Sequence, residues 1–275
     1  MTAVSMAAVK ELRERLGAGM VDSKKALEEA NGNIEKAIEI LRLKGAKGVA
    51  KREGRTTSEG LITIRETGSK VVMIELACET DFVAKNQKFI DLGEKVLDAI
   101  VKADTHCVAR SLEADAEGKT VAELINDEAA IIGEKIELRR VAEVTGDNFA
   151  VYLHRTSKDL PPQVGVVVAY EGADAETARA IAQHISFADP QYLSREDVPA
   201  AEVDKERDIV TEIAKSEGKP EVALPKIIEG RLNGFFKNVA LLDQPYARDN
   251  KLSVAQVVAE AGIKPTAFAR FKVGA

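Results

Sequence analysis

Val71-Val72-Met73-Ile74-Glu75-Leu76-Ala77-Cys78-Glu79-Thr80-Asp81-Phe82-Val83-Ala84-Lys85-Asn86 runs an apolar strand straight into the start of a helix. Val72, Ile74 and Leu76 alternate along one face, and Phe89, Gly93, Val96 and Ile100 recur downstream at helical spacing. An acid beside an aromatic at such a junction can be presented outward from a rigid base, and loops of that kind carry function more often than core segments do. A plainer reading stands beside it: Asp81 caps the helix and Phe82 tucks beneath it as a hydrophobic staple. Spacing alone leaves both open.

Working outward, Leu61 to Arg65 and Val71 to Ala77 form a hairpin through a turn at Thr67-Gly68, and the helix after the junction reaches about Val101. Thr120-Val121-Ala122-Glu123 is a capping box that opens a helix ending near Ile132. Strands are expected over Ile136 to Val144, Phe149 to His154 and Val164 to Tyr170, the first two joined at Gly146-Asp147. A strand feeding a helix occurs twice, Val71–Ala77 into residues 83–102 and Val164–Tyr170 into Ala175–Ile185. The likeness is one of pattern rather than identity and suggests duplication. Strands and helices segregated in this way predict an α+β core built on antiparallel sheet, first half 61–144 and second half 145–199.

Residues 1–44 read as a three-helix bundle. Ser5 is placed to cap a first helix carrying Val9, Leu12 and Leu16, which Gly17-Ala18-Gly19 stops. Asp22 is placed to cap a second that ends at Asn31-Gly32, and Asn33 a third carrying Ile34, Ala37, Ile38 and Leu41. Residues 45–60, glycine-rich and basic, are expected to be a linker, with a nucleic-acid-gripping arm as its functional alternative. Residues 200–236 hold two charged helices with narrow apolar seams, Val203, Val210 and Ile213 on one, Leu224, Ile228, Leu232 and Phe235 on the other. With Pro220 starting the second helix, they read as a projecting antiparallel coiled-coil hairpin, or as two ordinary helices folded back on the core. Residues 237–275 are expected to return to the core with one short helix, opened by the capping box Ser253-Val254-Ala255-Gln256.

Composition narrows the function. Aromatic residues make up 4% of the chain and Trp is absent, which argues against base-stacking platforms. A net charge of −6 gives no field favouring a phosphate backbone. The two cysteines, Cys78 and Cys107, form neither a disulfide framework nor a metal spacing. Met1-Thr2-Ala3-Val4 lacks the features of a signal peptide and no apolar run reaches membrane length, so a cytoplasmic protein is expected. His106, His154 and His184 have no ligand-like partners, and no phosphate loop, dinucleotide fingerprint or nucleophile elbow occurs. The reading is therefore of a protein with no catalytic residues, metal or cofactor, made of several contact surfaces suited to gripping another folded protein.

Leu12-Arg13-Glu14-Arg15-Leu16-Gly17-Ala18-Gly19-Met20-Val21-Asp22-Ser23-Lys24-Lys25-Ala26-Leu27 resembles the N-terminal signature of the elongation factor Ts family, and Cys78 to Asn86 its second signature. Gly133 to Val141 and Glu229-Gly230-Arg231-Leu232 are similar too. The resemblance implies a guanine-nucleotide exchange factor for elongation factor Tu, acting as a one-to-one heterodimer or within a higher assembly; with the composition above, neither a membrane nor direct nucleic-acid contact is expected. It implies that Thr80, Asp81, Phe82 and Val83 disturb the partner's Mg²⁺ site and release its nucleotide. Arg13 and Met20 match contacts of a ubiquitin-associated-like bundle with the partner's GTPase domain, and His154 a contact of the second half. The chain departs from the family pattern at Leu16, Val21 and Ser23, so no contact is carried over to Val21. Two other classes remain: a ubiquitin-binding adaptor using the bundle, and an RNA-binding translation protein using the 45–60 segment.

Overall fold

Three helices begin the chain and bury their apolar faces on one another: α1 (Met6–Leu16) and α2 (Met20–Glu29), both too short to be stable singly, and the longer α3 (Ile34–Arg52). The computed structural model describes residues 4–16 and 18–275, with backbone alone over 45–47 and 49–51. Residues 1–3 and Gly17, on which the leader reading and the stop of the first helix partly fall, lie outside the described residues. Val9, Leu12, Leu16, Leu27, Ala37 and Leu41 share the bundle core. Ser5 Oγ accepts from Ala8 N at 3.1 Å and Asn33 Oδ1 from Lys36 N at 3.0 Å, as the caps predict. Asp22 is not a cap. Gly19 takes that position in extended backbone, and Asp22 lies in the first turn, where its charge suits the positive end of the helix.

The first core follows as β1 (Glu59–Thr67), β2 (Lys70–Cys78), α4 (Asp81–Ala84), α5 (Gln87–Ala103), α6 (Val108–Leu112), β3 (Asp115–Ala116), β4 (Lys119–Thr120), α7 (Val121–Ile132) and β5 (Ile136–Thr145). β1 and β2 pair antiparallel from Glu59 opposite Cys78 to Thr67 opposite Lys70, and the sheet order is β1-β2-β5. Every residue of β2 beyond Lys70 is buried. Such a strand needs cover on both faces, and α5 supplies one: Phe89, Leu92, Val96, Leu97 and Ile100 share a core with Val72, Ile74 and Leu76. Gly93 permits that approach, since a Cβ there would lie 2.9 Å from Leu61 Cδ1.

The expected linker from residue 45 begins instead as helix, because α3 continues to Arg52. Glycine costs a helix interior roughly 1 kcal/mol, and tertiary packing offsets that cost here. α3 lies along α7, and Arg52 Nη1 donates to Ala129 O at 3.3 Å. At its far end α7 serves two cores, Ile131 entering that of the bundle while Ala129 and Ile132 enter that of the sheet.

The chain contacts fall into two units, one of residues up to Glu143 with Leu153–Gly165 and Phe271–Ala275, the other of Val144–Tyr152 with Val166–Arg270. The remaining elements are β6 (Asn148–His154), β7 (Val164–Glu171), α8 (Ala175–Ala188), α9 (Ala200–Ser216), α10 (Leu224–Val239), β8 (Pro245–Tyr246), β9 (Asp249–Ser253), α11 (Val254–Glu260) and β10 (Lys264–Lys272). Their three-stranded sheet is ordered β10-β7-β6. In both sheets the central strand, β2 or β7, pairs with the strand before it and a later one, then feeds a helix. That is the duplicated α+β pattern. β10 carries no alternation that marks a strand in the sequence; its Pro265 and its Lys and Arg residues suit an edge strand. α9 packs on α10 with Val210, Ala214 and Leu232 buried, and Arg231 Nη2 lies 2.7 Å from Glu217 Oε2. Pro220 precedes a single 3₁₀ turn, Glu221–Ala223, rather than α10 itself.

Glu75 and His184 are two of the buried polar side chains. Glu75, with no exposed side-chain surface, lies 2.5 Å from Arg140 Nε and 3.5 Å from Arg139 Nη1, and accepts from Gly274 N at 3.3 Å. Removing it leaves the Gly274 amide without its acceptor and takes the buried carboxylate from both guanidinium groups, which keep Glu137 Oε1 (Arg139) and Lys272 O (Arg140), so Glu75→Ala is expected to cost about 1–3 kcal/mol in urea unfolding. His184 in α8 accepts at Nδ1 from Ala247 N (3.2 Å), so Nε2 carries the proton and donates to Gln244 Oε1 (2.8 Å). Burial pushes its pKa below the ordinary 6.5, while the bond to Gln244 pulls the other way. The unfolded chain then takes up this proton first, so the stability is present above about pH 6.5 and lost as pH falls below it. Urea midpoints measured at about pH 7.5 and 5.5 should differ less in His184→Asn than in the wild type.

Candidate functional site at the strand-to-helix corner

Between the last residue of β2 and the first of α4 lie Glu79 and Thr80, and Glu134, just beyond α7, holds both. Its Oε2 accepts from Thr80 N at 3.0 Å and Glu79 N at 3.2 Å, and its Oε1 accepts from Thr80 Oγ1 at 2.6 Å. The clamp is reciprocal: Glu79 Oε1 accepts from Lys135 N at 2.6 Å and from Arg55 Nη1 at 3.1 Å. Cys78 Sγ donates to Thr80 O at 3.4 Å, and burial pushes that thiol far up, so it stays neutral.

Thr80, not Asp81, is the helix cap, its Oγ1 accepting from Val83 N at 3.4 Å. Val83 and Ala84 enter the sheet core and fix the turn from below. Phe82 is not a staple: it is 73% exposed. Lys85 Nζ lies 3.2 Å from Asp81 Oδ2 and 4.4 Å from the centre of the Phe82 ring, touching both outward side chains. Asn86 Oδ1 then caps α5 by accepting from Lys88 N at 3.0 Å.

A cleft of about 700 Å³ lies beside this corner, lined by Arg13, Gly19 and Met20 of the bundle and by Phe82, Val83 and Glu134 among others. Met20 is 46% exposed. Arg13, Met20, Phe82 and Val83, chosen from separate parts of the sequence, thus line one cleft, with Thr80 and Asp81 next to them in the chain. His154 does not line it. It ends β6, exposed, its carbonyl accepting from Gln163 N at 2.9 Å. Sequence reasoning missed Glu134, Glu79 and Arg55. Gly133-Glu134 after an apolar helix signals a helix end, but no spacing rule says which distant amides that carboxylate will take.

The sequence profile of the family described as Elongation factor TS matches residues 79–275. Over 276 residues, covering 100% of both chains, the protein is 66% identical to Elongation factor Ts of Leifsonia xyli subsp. xyli (strain CTCB07). This chain belongs to the elongation factor Ts family. It is 67% identical over 267 residues to Elongation factor Ts of Clavibacter sepedonicus, with 97% of each covered, and 54% identical over 274 residues to that of Tropheryma whipplei (strain Twist), with 100% of each covered. As a member of the elongation factor Ts family it is a translation elongation factor. Among the described residues no helix is long and apolar enough to cross a membrane.

A large apolar ring left in water contributes little to folding. Phe82→Ala is therefore expected to change unfolding free energy by less than about 1 kcal/mol, whereas Val83→Ala in the buried turn should cost about 1–2 kcal/mol. Thermal unfolding of the two variants checks the contrast.

Proposed function

We propose that this protein is the guanine-nucleotide exchange factor of elongation factor Tu, a cytoplasmic binding protein that forms a one-to-one complex and catalyses no covalent step. The observation that carries this reading is Phe82, 73% exposed on a corner held by hydrogen bonds and set beside the Arg13 and Met20 face of the bundle. Arg13 and Met20 bind the partner's GTPase domain, and His154 meets the partner elsewhere. Phe82 enters between partner helices beside the Mg²⁺ site, with Thr80 and Val83 holding the segment in shape. Burying that ring is worth roughly 1.5–3 kcal/mol. Asp81 brings a negative charge toward a site organised around a divalent cation.

Linkage supplies the mechanism. A protein that binds nucleotide-free partner more tightly than GDP-bound partner weakens GDP binding by the same factor. The energy of inserting Phe82 is available only once the phosphate loop and Mg²⁺ ligands have shifted, so it stabilises the state from which GDP leaves. GTP then enters the emptied site.

Stopped-flow release of a fluorescent GDP from elongation factor Tu tests this. Phe82→Ala is expected to lower the maximal release rate about tenfold, the equivalent of about 1.4 kcal/mol, while complex formation is largely preserved. A wild-type rate in the variant would overturn the reading.

A further inference from the structure

We propose that Glu134 is the positioning residue of the corner, holding Asp81 and Phe82 in the orientation that nucleotide release requires; this rests on the exchange reading above. α4 is only four residues long, and a helix of one turn cannot fix its own direction. Its buried side, Val83 and Ala84, keeps it attached to the core. Its heading depends on how Thr80 enters it.

Glu134 governs that entry through three bonds. By accepting from Thr80 Oγ1, its carboxylate turns the hydroxyl proton away from α4 and leaves a lone pair for Val83 N. By accepting from Thr80 N and Glu79 N, it fixes the two peptide planes before the cap. The two oxygens divide the task, Oε2 taking both amides and Oε1 the hydroxyl. Glu134 is itself well anchored. It follows Gly133, whose φ of +89° ends α7, and α7 is seated in both the bundle and sheet cores. The residues that press on the partner are therefore oriented by a carboxylate that lines the cleft beside them, and the exchange of the two amides separates this orienting role from any direct contact it makes there.

The test uses the full chain with Glu134→Ala and Glu134→Gln, and Glu123→Ala as control, since Glu123 stabilises the distant start of α7 through its capping box. Fluorescent-GDP release from elongation factor Tu is followed against factor concentration, and hydrogen exchange is read at the Glu79 and Thr80 amides. For Glu134→Ala we expect those amides to exchange at least tenfold faster and the maximal rate to fall about tenfold, with half-saturation within about twofold of wild type. Glu134→Gln, with one acceptor oxygen, should fall between, and Glu123→Ala should keep the wild-type maximum. A wild-type maximal rate in Glu134→Ala, or an equal loss in Glu123→Ala, overturns the proposal, as does unchanged amide exchange. If the wild-type protein itself does not speed release, the exchange reading is what fails, and the two amides alone decide whether Glu134 orients the corner.

Discussion

A strand buried on both faces sets the terms for the larger part of this molecule. β2 presents Val72, Ile74 and Leu76 to one side and Val71, Met73 and Ala77 to the other, all withdrawn from water. One face requires a helix with a broad apolar stripe, which α5 provides. The strand remains buried as far as Cys78, so the chain emerges from a fixed point rather than from a fraying end. Whatever follows it begins with its position already determined, and only its direction remains to be set.

Direction is the task of the corner. Phe82 and Val83 are consecutive apolar residues, yet one lies in solvent and the other in the core. In a helical turn neighbours point about 100° apart, so a single turn sends one inward and the next outward. Hydrophobicity alone cannot tell them apart. The burial of Val83 and the clamp around Thr80 together decide that Phe82 is the ring left uncovered, at little cost to the fold and at the disposal of a partner.

The legible parts of this structure were those whose information is local. β2, β7, α5 and α7 announce themselves by periodicity, and the capping boxes at Thr120 and Ser253 mark helix starts that the structure keeps. What escaped depends on distant residues. Nothing near Gly45 and Gly48 says that α7 will carry α3 to Arg52. Asp22 has the chemistry of a cap, but the turn before it places Gly19 there instead. β3 and β4 are two residues each, too short for any alternation to register. For the candidate site, Arg13, Met20, Asp81 and Phe82 could be picked out by resemblance, whereas Glu134 takes its meaning from amides 54 and 55 positions away.

The buried carboxylate of Glu75 has a consequence for how the chain is made. Its arginine partners, Arg139 and Arg140, leave the ribosome early, but the amide of Gly274 follows 199 residues after Glu75. Everything from Val166 to Arg270 must be synthesised before that last partner exists. The first unit therefore does not hold all its own residues until the chain is almost fully made, and the Glu75 carboxylate gains its last donor only when residue 274 has been added.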